Sequence, residues 1–101
     1  MKWEDLGGVV SISQSNRYNV ISVYINCEGM EMIGEKKIIF DQKEMSIKLP
    51  SIDKEPTNTI SSYRGFQCAA KYQNAAEMKG EYLIEKVKDV FFLTRIIEKD
   101  N

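Results

Sequence analysis

The chain contains no histidine among its 101 residues. Without histidine it cannot carry a Ser-His-Asp or Cys-His nucleophile, a histidine-ligated metal, or the usual acid–base residue that titrates near neutral pH. Carboxylate, Lys, Tyr, Cys and Arg chemistry remains available for catalysis. We therefore expect a protein that is not an enzyme and that uses no metal or cofactor.

Cysteine is also scarce, with Cys27 and Cys68 as the two examples. Their spacing matches no metal-binding pattern, and we interpret both as buried thiols rather than a disulfide. No apolar run approaches the roughly 18 residues that a membrane-spanning helix needs. Glu4 and Asp5 stand where a signal peptide would carry its basic start and apolar middle, so we expect a cytoplasmic protein without membrane contact.

The chain has no excess of either charge, since 14 basic and 15 acidic residues give a net charge of -1. Nucleic acid is therefore not an expected partner. A lysine stripe with an interleaved aromatic residue would suggest otherwise, but neighbouring acids cancel it. The lysines are Lys36, Lys37, Lys43, Lys48 and Lys54, and the acids are Glu35, Asp41, Glu44, Asp53 and Glu55.

The length and the composition, 43% hydrophobic and 29% charged, predict one globular domain over residues 1–101. Residues 80–99 decide its class. Two runs rich in β-branched and aromatic residues, 82–87 and 90–97, are joined by Lys88-Asp89, which predicts a β-hairpin. Helical spacing of Met78, Tyr82 and Val90 permits an alternative, an α+β fold with a C-terminal helix from Ala75 onward.

Earlier segments supply neighbours for this hairpin. Alternating or β-branched patterns predict strands at 9–14, 18–27, 30–33, 37–40, 45–49, 60–63 and 66–72, and helix formers predict one short helix at 72–79. The predicted fold is mainly β, a small antiparallel barrel or sandwich of about eight strands with at most one short helix.

Two clusters are candidate binding sites for another protein. Glu28, Glu31 and Glu35 alternate with Met30 and Met32 in a predicted strand, where acids and adaptable methionines would suit a basic partner. The alternative for this cluster is a solvated strand edge whose charges deter aggregation.

The second cluster is the Tyr63-Arg64-Gly65-Phe66 segment, because tyrosine and arginine are frequent interface anchors. Its alternative is a turn in which Gly65 takes an unusual backbone conformation. Asp41 and Glu44 could in principle hold a metal ion, but the calcium-loop pattern is absent and a hydrophilic hairpin turn explains them.

The segment Lys79-Gly80-Glu81-Tyr82, followed by Lys88-Asp89 and Val90-Phe91-Phe92-Leu93, resembles the closing hairpin of lipocalin-like barrels. The Gly-x-Trp of those barrels is absent, because Trp3 precedes Gly7 and Gly8. The resemblance implies a barrel that carries a small molecule in an apolar interior.

The absence of catalytic motifs, the small size and the acidic cluster favour a different function. We expect a non-catalytic protein-binding domain, an inhibitor or immunity-type protein that neutralises a partner enzyme or toxin. Its predicted partner-binding residues are Glu28, Glu31, Glu35, Tyr63 and Arg64. The lipocalin-like small-molecule-binding barrel is the alternative.

Overall fold

The computed structural model describes residues 7–61 and 63–96, and within them it contains eight strands and two helices. The strands are β1 (Val9–Gln14), β2 (Val20–Ile25), β3 (Lys37–Asp41), β4 (Ser46–Lys48), β5 (Asn58–Thr59), β6 (Gly65–Ala69), β7 (Gly80–Val87) and β8 (Val90–Arg95). The helices are α1 (Cys27–Ile33) and α2 (Ala75–Met78). All the pairs that these strands make are antiparallel, which confirms the predicted mainly β fold.

The strands form one sheet in the order β5-β3-β4-β8-β7-β1-β2-β6, which curls into a nearly closed barrel. The two edges of the sheet meet along a line that we call the seam. There the rings of Phe40 and Phe66 pack edge to face with centroids 5.7 Å apart. The side chain of Gln42 also crosses the seam and bonds to the backbone of Ala69 and Lys71.

Alternate residues of the strands point inward and fill the barrel. In the β1–β2 hairpin the residues that reach the core are Val10, Ile12, Ile21, Val23 and Ile25, as the period-two pattern requires. Ile33 from α1 and Met78 from α2 join the same cluster. The fully buried large side chains are Phe91, Ile21, Ile25, Ile38, Ile47, Ile60, Met78, Val10 and Val23.

The C-terminal hairpin forms as predicted, and the alternative C-terminal helix does not. β7 and β8 pair up to Val87 opposite Val90, so Lys88 and Asp89 are the two-residue connection. Lys88 has a φ of 57°, a left-handed conformation in which glycine or asparagine is usually found. The predicted hairpin extended to residues 97–99, which lie outside the described residues.

The prediction was wrong between residues 26 and 34. The strand predicted over 18–27 ends at Ile25, and the strand predicted over 30–33 lies inside helix α1. Asn26 caps this helix, because its side chain accepts a hydrogen bond from the Gly29 N–H at 2.8 Å. Gly34, predicted as a bulge or turn, ends the helix in the left-handed conformation with a φ of 72°.

Two other segments differ from the prediction. No strand forms over the described residues of 60–63, and the short strand β5 lies just before it. The helix predicted over 72–79 is the single turn α2, so the fold has two helices rather than at most one. An N-cap also explains α2, because Asn74 accepts a hydrogen bond from the Glu77 N–H.

Helix α1 lies against the start of β1, and two glycines allow this close packing. A Cβ atom on Gly29 would lie 2.7 Å from Ile25 Cγ2 and 2.8 Å from Ile84 Cδ1. A Cβ atom on Gly8 would lie 2.7 Å from the sulfur of Met32. Helix α2 contacts the other end of the β1–β2 hairpin, where the Ala75 N–H donates to Asn19. In the described part of the chain, neither helix is long or apolar enough to cross a membrane.

Candidate partner-binding surface

The acidic cluster lies on helix α1 rather than on a strand. Glu28 and Glu31 are three residues apart, so they are neighbours on one helix face, and both are exposed. The opposite face is buried through Gly29 and Ile33. Because the buried face is fixed by this packing, both carboxylates are held toward solvent.

The methionines of this segment do not have the predicted role. In a strand they would alternate with the acids on an exposed strip. In the helix, Met30 and Met32 are half-buried and pack against the core. The candidate surface is therefore carboxylate-rich, without the adaptable apolar strip that the sequence suggested.

Glu35 is exposed and follows Gly34, just beyond the end of α1. Within residues 7–61 and 63–96, the ion pairs are those of Lys48 with Asp41 and Glu44, at 3.2 and 2.7 Å. None of the three glutamates of the α1 region makes one there. Their charges are consequently available to a partner.

The Tyr63–Arg64 segment forms a tight turn between β5 and β6. Ser61 N–H donates to Gly65 O at 2.9 Å, and Arg64 N–H donates to Ser61 O at 2.8 Å. The residue with the unusual conformation is Arg64, with a φ of 63°, and not Gly65 as predicted. Gly65 is needed for close approach, because a Cβ atom there would lie 2.9 Å from Val23 O.

Arg64 connects this turn to the start of α1. Its guanidinium donates a hydrogen bond to the sulfur of Cys27, the first residue of the helix. That hydrogen bond, with a smaller contribution from Tyr24, raises the pKa of the guanidinium above its ordinary value. Two segments that are 37 residues apart in sequence thus meet at one end of the barrel.

We call the resulting patch the α1 surface. It comprises the five predicted partner-binding residues, Glu28, Glu31, Glu35, Tyr63 and Arg64. Tyr63 is 84% exposed at its border. Arg64 contacts Cys27, the residue before Glu28, whereas Glu35 lies beyond the opposite end of the helix.

One aromatic residue beside this surface, Tyr24, was not among the predicted partner-binding residues, although its strand pattern allowed a contact face there. Tyr24 is 49% exposed on the outer face of β2 and contributes to the pKa shift of Arg64. Its signal was the period-two pattern of β2, which places Tyr24 and Ser22 opposite the buried Val23. An exposed aromatic residue on such a face is a candidate contact residue.

The two cysteines differ in environment. Both are free, Cys27 is exposed rather than buried as predicted, and Cys68 is half-buried near the seam. Burial raises the pKa of the Cys68 thiol, and Lys71 opposes this with a smaller effect.

Asp41 and Glu44, the other candidate pair, both contact Lys48 of β4. Nowhere among the described residues do three Cys, Asp or Glu side chains gather as metal ligands would.

No known protein family, curated protein sequence or solved structure matches this chain. Its function must therefore be argued from the surfaces of the fold.

Proposed function

We propose that this chain is a non-catalytic protein-binding domain, an inhibitor or immunity-type protein that binds a basic partner through the α1 surface. The observation that carries the proposal is the group of exposed glutamates that make no ion pair in the described structure. In this proposal the partner meets the chain in the cytoplasm and is neither nucleic acid nor membrane.

Charge complementarity supports a basic partner. Glu28 and Glu31 make no ion pair within residues 7–61 and 63–96, so they create a local negative potential on one face of α1, although the chain as a whole has a net charge of only -1. Such a patch accelerates association with a positive surface and disfavours acidic competitors. Glu28 and Glu31 are also preorganised, because the buried side of α1 fixes their direction.

The Tyr63–Arg64 turn supports an interface with apolar anchors as well as charge. Tyrosine and arginine carry a disproportionate share of binding energy in protein interfaces. Tyr63 is 84% exposed, and Arg64 hydrogen-bonds to Cys27 at the start of α1. Both side chains are therefore placed beside the helix that carries Glu28 and Glu31.

A barrel that carries a small molecule is less well supported. Such a carrier needs an open interior. Here the inward positions are filled by side chains that are at most 8% exposed, including Phe40, Phe91 and Met78. Both helices also contribute side chains to that core.

The proposal is tested by charge reversal with a matched control. The site variant is Glu28→Lys, Glu31→Lys and Glu35→Lys, and the control variant is Asp53→Lys, Glu55→Lys and Glu85→Lys. Each set replaces three exposed acids by lysine, so both variants carry the same net charge. Circular dichroism checks that both variants fold.

Immobilised wild-type protein and both variants are used to capture proteins from a lysate of the source cells, and each captured protein is then purified and titrated directly. We expect a basic protein whose affinity falls by about tenfold to a hundredfold with the site variant and changes little with the control. Affinity should weaken as salt rises. If the partner is an enzyme, its activity should fall at a stoichiometric ratio. Equal affinity for both variants would contradict the proposal, as would the lack of any directly binding protein.

A further inference from the structure

The outer face of β1, β2 and β6 carries a second feature, a groove with a volume of about 630 Å³. Its floor is made by residues that alternate with core residues along the strands, among them Ser13, Ser22 and Gln67. Thr59, Ser61 and Tyr63 also line it. We call this feature the serine groove.

The lining of the serine groove is uncharged. None of its 13 lining residues is Lys, Arg, Asp or Glu, although 29% of the chain is charged. A ligand with phosphate or carboxylate groups would find no cation in this lining. A purely apolar ligand would leave hydroxyl and amide groups without partners. The lining therefore matches a neutral ligand that presents both apolar surface and hydrogen-bonding groups.

Several of these polar groups have hydrogen-bonding capacity to spare. Gln67 Nε2 donates to Ser22 Oγ at 3.0 Å, which leaves the Gln67 carbonyl oxygen as an acceptor and the Ser22 hydroxyl as a donor. The hydroxyls of Ser13 and Thr59 make no side-chain hydrogen bond to another described residue. Donors and acceptors thus lie side by side on a floor of two paired strands, at the spacing of adjacent strands.

Two tyrosines border the groove. Tyr24 is 49% exposed and Tyr63 is 84% exposed. Tyr24 also lines an adjoining depression of about 260 Å³ that includes Ser11 and Glu81. Ser11 and Tyr24 line both depressions, so the Tyr24 ring provides an apolar surface for the C–H face of a flat ring between two sets of polar groups.

We propose that the serine groove binds a neutral oligosaccharide. Tyr24 stacks on one sugar ring, and Gln67 and Ser22 exchange hydrogen bonds with its hydroxyls. The Glu81 carboxylate, which accepts a hydrogen bond from Ser11, faces the next ring. This inference does not depend on the proposed protein partner, whose glutamates lie outside the groove, although Tyr24 and Tyr63 border both surfaces.

The test is a titration of the ¹⁵N-labelled protein with four neutral probes, maltotetraose, cellotetraose, chitotetraose and mannotetraose, and with the anionic probe tetragalacturonate. We expect at least one neutral probe to bind with a Kd on the order of 1 mM or lower. The Gln67 side-chain amide and the backbone amides of Ser22 and Tyr24 should show the largest shift changes. This mapping uses the wild-type protein and does not depend on whether any variant folds.

Matched tyrosine variants then test the site. Tyr24→Ala and Gln67→Ala should each weaken binding by about tenfold or more. Tyr18→Ala is the control, because Tyr18 is 97% exposed and does not line the groove. Equal weakening by Tyr24→Ala and Tyr18→Ala would overturn the site. Binding of tetragalacturonate alone, of an uncharged Ser/Thr-rich octapeptide but no sugar, or of none of the neutral probes at 10 mM (about ten times the expected Kd) would overturn the ligand class.

Discussion

Asn26 is a single residue on which the α1 surface depends, because its side chain makes three hydrogen bonds. Its Oδ1 accepts from the N–H groups of Gly29 and Val9, at 2.8 and 2.9 Å, and its Nδ2 donates to Gly7 O at 3.0 Å. One amide group thus caps the helix and ties it to the start of β1. The direction of Glu28 follows from that attachment.

We predict that Asn26→Ala destabilises the protein by about 2–4 kcal/mol, since it removes a helix cap and leaves two further backbone groups unpaired. Asn74→Ala is the control, because Asn74 is exposed, caps helix α2, and forms side-chain hydrogen bonds there with Glu77 alone. We expect that control to lose about 0.5–1 kcal/mol. Urea denaturation of both variants measures the difference. Losses of equal size would show that the bonds of Asn26 to β1 add nothing to its capping role.

At the scale of elements, the strands with clear alternation were predictable and α1 was not. Val9–Gln14 forms a strand with the predicted bounds, since half of its side chains meet the core. Helix α1 contains Gly29, which disfavours a helix locally by roughly 1 kcal/mol. That glycine is required by contact with Ile84, a residue 55 positions away that no local pattern reveals. Asn26 was the available signal of a helix start.

The two sequence clusters of the candidate site were predictable, but the contact between them in the fold was not. Spacing alone grouped Glu28, Glu31 and Glu35. The contact of Arg64 with Cys27, at the start of α1, depends on the pairing of β2 with β6, which places Tyr24 opposite Gly65. Tyr24 alternates with the buried Val23, and the same alternation is expected of any strand that fills a core, so it did not mark Tyr24 as a contact residue. The pairing of strands that lie far apart in the chain cannot be derived from the pattern of a single sequence.

The β3–β4 hairpin gives a prediction on pH. A hydrogen bond from the Glu44 N–H, and next the contact with Lys48, lower the pKa of Asp41 below its ordinary value of 3.8, although partial burial opposes this. A depressed pKa in the folded state means that the charged carboxyl stabilises the fold above pH 3.8, and that this contribution is lost as pH falls through the folded-state pKa.

Asp41→Asn should therefore lower the melting temperature at pH 7 by roughly 1–4 °C, a small effect because the ion pair is partly exposed. The difference from wild type should shrink as pH is lowered from 7 toward 2, because the stabilising charge of Asp41 is lost as pH falls through its folded-state pKa. Asp53→Asn, at an exposed carboxylate, should change little at either pH. Thermal denaturation between pH 2 and pH 7 checks this. A difference that grows as pH falls would contradict the assigned role of Asp41.

At the scale of the whole molecule, the barrel is closed by side chains rather than by a continuous strand ladder. At the seam Gln42 is only 8% exposed, and its amide donates to Ala69 O at 2.8 Å and accepts from Lys71 N–H at 2.9 Å. These are the two bonds that a neighbouring strand would make with such an edge. Together with the contact of Phe40 and Phe66, this amide covers an edge that would otherwise be open to pairing with other chains.

Gln42→Glu tests this closure, because it preserves shape and the acceptor for Lys71 while replacing the donor with an oxygen that faces the Ala69 carbonyl. We expect a loss of about 2–4 kcal/mol at pH 7 and faster hydrogen exchange at the Lys71 amide. Burial and the facing carbonyl should raise the pKa of the introduced carboxyl above its usual value of about 4.3. The loss of stability is then full at a pH above the pKa that the carboxyl has in the folded protein. It shrinks as pH falls toward the pKa that the carboxyl has in the unfolded chain, because the protonated acid can donate to Ala69 again. Gln67→Glu, on the outer face, is the control, and its stability should not recover in this way at low pH. An equal loss of stability for Gln42→Glu at pH 7 and pH 4 would show that the seam does not depend on the Gln42 donor.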